Sequence, residues 1–95
     1  MKKHTKLYFD FFEVDYDPVS GWHDCVSEIS GEPAVDVHHI ESRGMGGSKN
    51  ADKIENLMAL TRNEHDFYGD KKEHLEYLKQ IHADYIKRFT ENKSQ

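Results

Sequence analysis

The stretch that constrains this chain most is AVDVHHIESRGMGG, residues 34–47. A short β-branched run ends on two adjacent histidines and opens at once into a glycine-containing loop. Alternation of apolar and polar residues predicts a strand over AVDVHHI, with Val35, Val37 and His39 on one face and Asp36, His38 and Ile40 on the other. ESRGMGGSKNADKIE then reads as a long loop, and NLMALT as a second short apolar strand opened by Asn56. TRNE follows as a capping box, with Thr61 accepting from the Glu64 backbone N–H while the Glu64 side chain reaches back to Thr61. His65 therefore falls in the first turn of a helix, which Gly69 ends. The order is strand, long loop, strand, helix.

The flanks are less constrained. KLYFDFFEVDYD fits either a short helix or an edge strand, and a helix ending near Val14 is the preferred reading. DPVSG and SGEP are turns. Asp70 is expected to cap a longer helix running to about Phe89, with Leu75, Leu78, His82, Tyr85 and Phe89 on one stripe. The polar tail 90–95 is expected to fray. His74 and His82 read as packing or surface residues of that helix.

A chain of 95 residues suffices for one domain with a modest core. It divides into an extension (1–26), a core (27–70), a C-terminal helix (71–89) and the tail. No apolar run approaches the length of a membrane span, and the acids Asp10, Glu13 and Asp15 interrupt any signal-peptide pattern. A single cysteine, Cys25, excludes an intrachain disulfide and fits a reducing cytoplasm. The net charge of −5 argues against tight autonomous binding of nucleic acid. That charge is concentrated: residues 10–36 hold eight carboxylates and no Lys or Arg, whereas residues 37–95 hold ten acids and ten bases.

Metal-assisted phosphodiester hydrolysis is one chemistry that adjacent imidazoles beside a loop and a helix start can serve. It needs a neutral base near pH 7, a divalent cation to offset developing charge, and a support holding the two together. Adjacent strand residues point to opposite faces, so His38 and His39 can share a target only where the strand end relaxes into the loop.

The segment VDVHHIESRGMGG…IENLMALTRNEHD resembles the HNH endonucleases of the ββα-metal superfamily, in particular short forms from bacteriophages and prophages. The motif letters fall on His39, Asn56 and His65, and the resemblance spans roughly Ser27 to Phe89. It implies an α+β fold: a ββα-metal motif with a two-stranded antiparallel hairpin, the N-terminal helix or strand and the C-terminal amphipathic helix. It implies a divalent-metal-dependent DNA endonuclease or nickase acting in a bacterial host cell. His39 would be the general base. His38 and His65 would be metal ligands, His65 alternatively a phosphate contact. Asn56 would either bind metal or pin the loop that holds His39. Arg43 has no defined family equivalent but lies where a cation can clamp a phosphate; Lys49 and Arg62 are taken with it as nucleic-acid contacts. The cofactor would be Mg²⁺ or Mn²⁺, with Zn²⁺ or Ni²⁺ as further options. The partners would be DNA and a phage packaging or other protein, with no membrane. The competing expectation is a non-catalytic HNH-fold module that binds DNA or such a partner.

Many relatives carry two Cys-x-x-Cys pairs that bind a structural zinc. Here Ser27 and Ser30 stand at the first pair, and Thr61 and Glu64 at the second, so no structural zinc is expected. Trp22, the cluster of Phe9, Phe11 and Phe12, and the capping box are the expected substitutes for its folding contribution. A replacement site from His23, Cys25 and either His74 or His82 is the other possibility.

Overall fold

The computed structural model describes residues 1–41, 52–69 and 71–93. Three helices surround one hairpin: α1 (Lys3–Phe11), β1 (Asp36–His39), β2 (Leu57–Leu60), α2 (Arg62–Tyr68) and α3 (Leu75–Lys93). Single 3₁₀ turns, Ile54–Asn56 and Lys72–His74, precede β2 and α3. The sheet has two antiparallel strands, in a register that sets His38 opposite Met58 and His39 opposite Leu57. The α+β class, the hairpin and the C-terminal helix are thus as read from the sequence. Among the described residues no helix is long and apolar enough to cross a membrane.

The hairpin is covered on both faces, which is why all four residues of β2 are buried. On one face Val37, Leu57 and Ala59 pack against Tyr8, Phe9 and Phe12 of the α1 region, with Cys25 and Ala34. On the other, Met58 and Leu60 pack with Ile40 and Leu78. A two-stranded ribbon is marginal alone, and burial of both faces supplies what the hydrogen bonds of two strands cannot. α3 serves both clusters, with Leu78 and Ile81 against one and Tyr85, Ile86 and Phe89 against the other.

The N-terminal segment is a helix, ending three residues before Val14. Its end is a left-handed turn at Glu13 (φ 57°), with the Val14 N–H donating to the Phe9 carbonyl at 2.9 Å. Gly21 and Gly31, both at positive φ, sit in the two expected turns. α3 begins at Leu75 rather than at the cap assigned to Asp70, which lies outside the described residues. It also runs past Phe89 to Lys93, which pairs with Glu13 at 2.8 Å, because nothing in TENK breaks a helix. Trp22 does not contribute to the core; it is 58 % exposed, on the turn between Tyr16 and His23. Phe9 and Phe12 do contribute, and Phe11 packs at their edge against Phe89.

Candidate functional site

The alternation of β1 holds through its last residue. His39 still pairs with Leu57, so the strand end does not relax enough to bring the two imidazoles to one point. His39 faces α1, where its ring lies 4.3 Å from that of His4. His38 is buried on the opposite face, its ring 4.8 Å from that of His65 and nearly perpendicular to it. The histidines therefore divide into two sites, one on each face of a single strand.

On the first face, His39 Nε2 lies 2.7 Å from Asp52 Oδ1. A carboxylate only accepts, so this contact puts the ring proton on Nε2 and leaves Nδ1 with the lone pair. The His4 imidazole is held below its ordinary value of 6.5, by burial first and by the adjacent His39 ring second. His4, His39 and Asp52 each offer one ligand atom, all within 4.8 Å of one another, and together they have the donors and the spacing to hold a metal ion. An open pocket of about 350 Å³ adjoins this face beside α1 and β1, with Lys2, His4, His23 and Val37 in its wall.

On the second face, the capping box delivers His65. Thr61 Oγ1 accepts from the Glu64 N–H at 3.1 Å, and Glu64 Oε1 accepts from the Thr61 N–H at 2.9 Å, as expected from the sequence. Gly69 closes the helix against the two rings. A Cβ there would lie 2.5 Å from the His65 carbonyl oxygen and 3.3 Å from His38 Cε1, so only glycine fits without displacement.

Asn56 spans the two strands. Its Oδ1 accepts from the Glu41 N–H at 2.8 Å and its Nδ2 donates to the Glu41 carbonyl at 3.0 Å, while its own carbonyl accepts from the Ile40 N–H. Both side-chain atoms of Asn56 thus tie β2's entry to Glu41, two residues past His39. Arg62 is exposed at the start of α2, 4.0 Å from Asp36, an exposed contact of little energetic weight. Arg43 and Lys49 lie outside the described residues.

The four positions that hold zinc cysteines in the resembled family do come together. Ser27 Oγ donates to Glu64 Oε1 at 2.5 Å and accepts from the Ile29 and Ser30 N–H groups. Burial opposes ionisation of Glu64, but hydrogen bonds from Ser27, Ser30 and Thr61 outweigh it and hold the carboxyl below 4.5. Among the described residues, His23 and Cys25 form no metal-holding group with either His74 or His82. Cys25 is buried with its thiol pushed up to about 12, chiefly by that burial. His74 stacks on Phe67.

His82 instead anchors a buried polar network. Its Nδ1 lies 2.8 Å and 2.9 Å from the two Glu28 oxygens, its Nε2 donates to the Ile54 carbonyl at 2.6 Å, and Tyr8 donates to Glu28 Oε2 at 2.6 Å. Burial disfavours the imidazolium, but the Glu28 carboxylate and the Ile54 carbonyl outweigh it and raise His82 above 6.5. Burial likewise raises Glu28, the hydrogen bonds from His82 and Tyr8 only partly offsetting it. The ion pair is the better description, since both ring nitrogens of His82 face acceptors, the Glu28 carboxylate and the Ile54 carbonyl, and each therefore carries a proton.

Reasoning from sequence missed His4, Asp52 and the Glu28–His82 pair. None has a spacing that singles it out, because each reaches its partner across 13 or more residues. No family model matches the chain, and no curated protein or solved structure matches it either.

Proposed function

We propose that this chain is a divalent-metal-dependent phosphodiesterase, a DNA endonuclease or nickase, with His39 as its general base. The observation that carries the reading is the His39–Asp52 contact of 2.7 Å on the strand whose other face holds His38 against His65. Asp52 orients the ring and leaves Nδ1 to take a proton from water. Asn56, through its paired bonds to Glu41, fixes the chain immediately after that base. The strand–loop–strand–helix order and the meeting of Ser27, Ser30, Thr61 and Glu64 support the family resemblance.

The chemistry also requires a cation, and His38 and His65 fit one. They are two imidazoles from different elements that meet edge to face beneath Gly69. An imidazole pair suits Zn²⁺ or Ni²⁺ better than it suits Mg²⁺, with Mn²⁺ between them. When bound, the ion would offset charge on the phosphate and the departing 3′ oxygen. Arg62, Arg43 and Lys49 are the proposed contacts to the DNA backbone, and a packaging-type protein partner is proposed on the resemblance alone.

Conversion of supercoiled plasmid to open circles, with Mn²⁺ or Mg²⁺ against EDTA, tests this. Cleavage should require the metal, and His39→Ala should lower the rate by about 10²–10⁴. A His39→Ala protein that cuts like the wild type overturns the assignment. A wild type that retains DNA on a gel but never cuts it would be the non-catalytic module instead.

A further inference from the structure

The nuclease reading uses His39 and Asp52 but gives no role to His4. His4 comes from the first turn of α1, an element that the strand–loop–strand–helix motif does not require. It nevertheless lies against the base, with the two ring centroids 4.3 Å apart and tilted by 51°. All three residues are half-buried, so an ion can reach them and yet be partly desolvated there. Two imidazoles and one carboxylate form a donor set that binds borderline divalent ions and leaves positions for water. This set has one donor more than the His38–His65 pair, and it competes with that pair for the same class of ion.

We propose that His4, His39 and Asp52 form a second metal site, selective for divalent ions of the zinc class, and that its occupation switches the base off. The binding half stands on this cluster alone; the switching half rests on the nuclease reading. A neutral imidazole has one N–H and one lone pair. Without the ion, the His39 Nε2–H faces Asp52 and Nδ1 is the acceptor. With an ion on Nε2, the ring proton resides on Nδ1, and Asp52 exchanges its hydrogen bond for a bond to the metal. The proton has moved within one ring, no electrons are transferred, and His39 no longer has an atom that can accept a proton from water.

Zn²⁺ alone is titrated into the full chain, with the histidine ring nitrogens followed by NMR. The His4 and His39 signals should move together in the wild type. His4→Ala and Asp52→Asn should each weaken that binding about tenfold or more, and His65→Ala should leave it in place. Unmoved His4 signals at saturating zinc, in the wild type and so without any substitution, overturn the site. Cleavage supported by Mn²⁺ is then measured with and without a slight excess of Zn²⁺. The ratio of the two rates should fall about tenfold in the wild type and change little in His4→Ala. Zinc that binds through His4 without slowing cleavage overturns the switch. A wild type that cuts under no metal overturns the nuclease reading, while His4-dependent zinc binding still supports the site.

Discussion

Replacing His82 by Leu removes one partner of a pair whose side chains are only 2 % and 0 % exposed. Leucine fills much of the volume, so the loss is electrostatic rather than a cavity. The Glu28 carboxylate loses contacts at 2.8 Å and 2.9 Å, the Ile54 carbonyl loses its donor, and only the Tyr8 hydroxyl remains on Glu28. Breaking a buried pair on one side costs about 3–5 kcal/mol. A domain of this length has roughly 5–14 kcal/mol of total stability, so the variant should be marginal. At about 4 °C or more per kcal/mol, its melting temperature should fall by roughly 12 °C or more. The deficit should also depend on pH. An unpaired Glu28 has a folded-state value raised above its unfolded value of 4.5 by burial, so folding favours its protonated form. Such a group contributes stability at low pH that is lost as pH rises through the raised value. The deficit of His82→Leu should therefore be largest near pH 7 and shrink on acidification towards pH 4.5. Adding Glu28→Gln removes the charge while keeping an acceptor for Tyr8, and should recover much of the loss at pH 7. Urea unfolding followed by circular dichroism measures all of this, a midpoint change at constant slope being the readout. A His82→Leu protein within about 1 kcal/mol of the wild type at pH 7, with no change in the difference on acidification, would refute the buried ion pair.

Gly69→Ala places a Cβ 2.5 Å from a backbone oxygen, and should cost about 1–3 kcal/mol of stability in thermal melts. Because the same Cβ meets His65 and His38, it should also weaken metal binding at that pair while leaving the His39–Asp52 contact intact by NMR. Glu64 is held below 4.5, so its contribution is complete above that value and lost as pH falls through its lowered folded value. Glu64→Gln should accordingly be less stable near neutrality, and the difference should narrow in acid melts. His38→Ala should cut slowly at low metal and recover part of its rate at high metal, in contrast to His39→Ala; equal loss at every metal concentration would reverse the two roles.

What the sequence by itself determined is local. Period-two alternation separated His38 from His39, and a Thr and a Glu three residues apart capped α2 and put His65 on that helix, midway along it rather than in its first turn. The stripe from Leu75 to Phe89 marked the packing face of α3, and the glycines at 21 and 31 marked turns. These features depend on residues within a turn or two of each other, where chain geometry leaves few choices. The tertiary structure alone decided the rest. It brought His4 to His39 and Asp52, and it buried His82 against a glutamate 54 residues away. It left Trp22 exposed, although hydrophobicity nominated that residue for the core. It brought Ser27 and Ser30 to the Thr61–Glu64 capping box, a meeting that only the resemblance had suggested. Contacts of this kind form after the chain has closed long loops, and which groups then meet is set by how three helices pack on one hairpin. No spacing in the sequence encodes that packing, because it depends on side chains from α1, the hairpin and α3 filling the same volume at once.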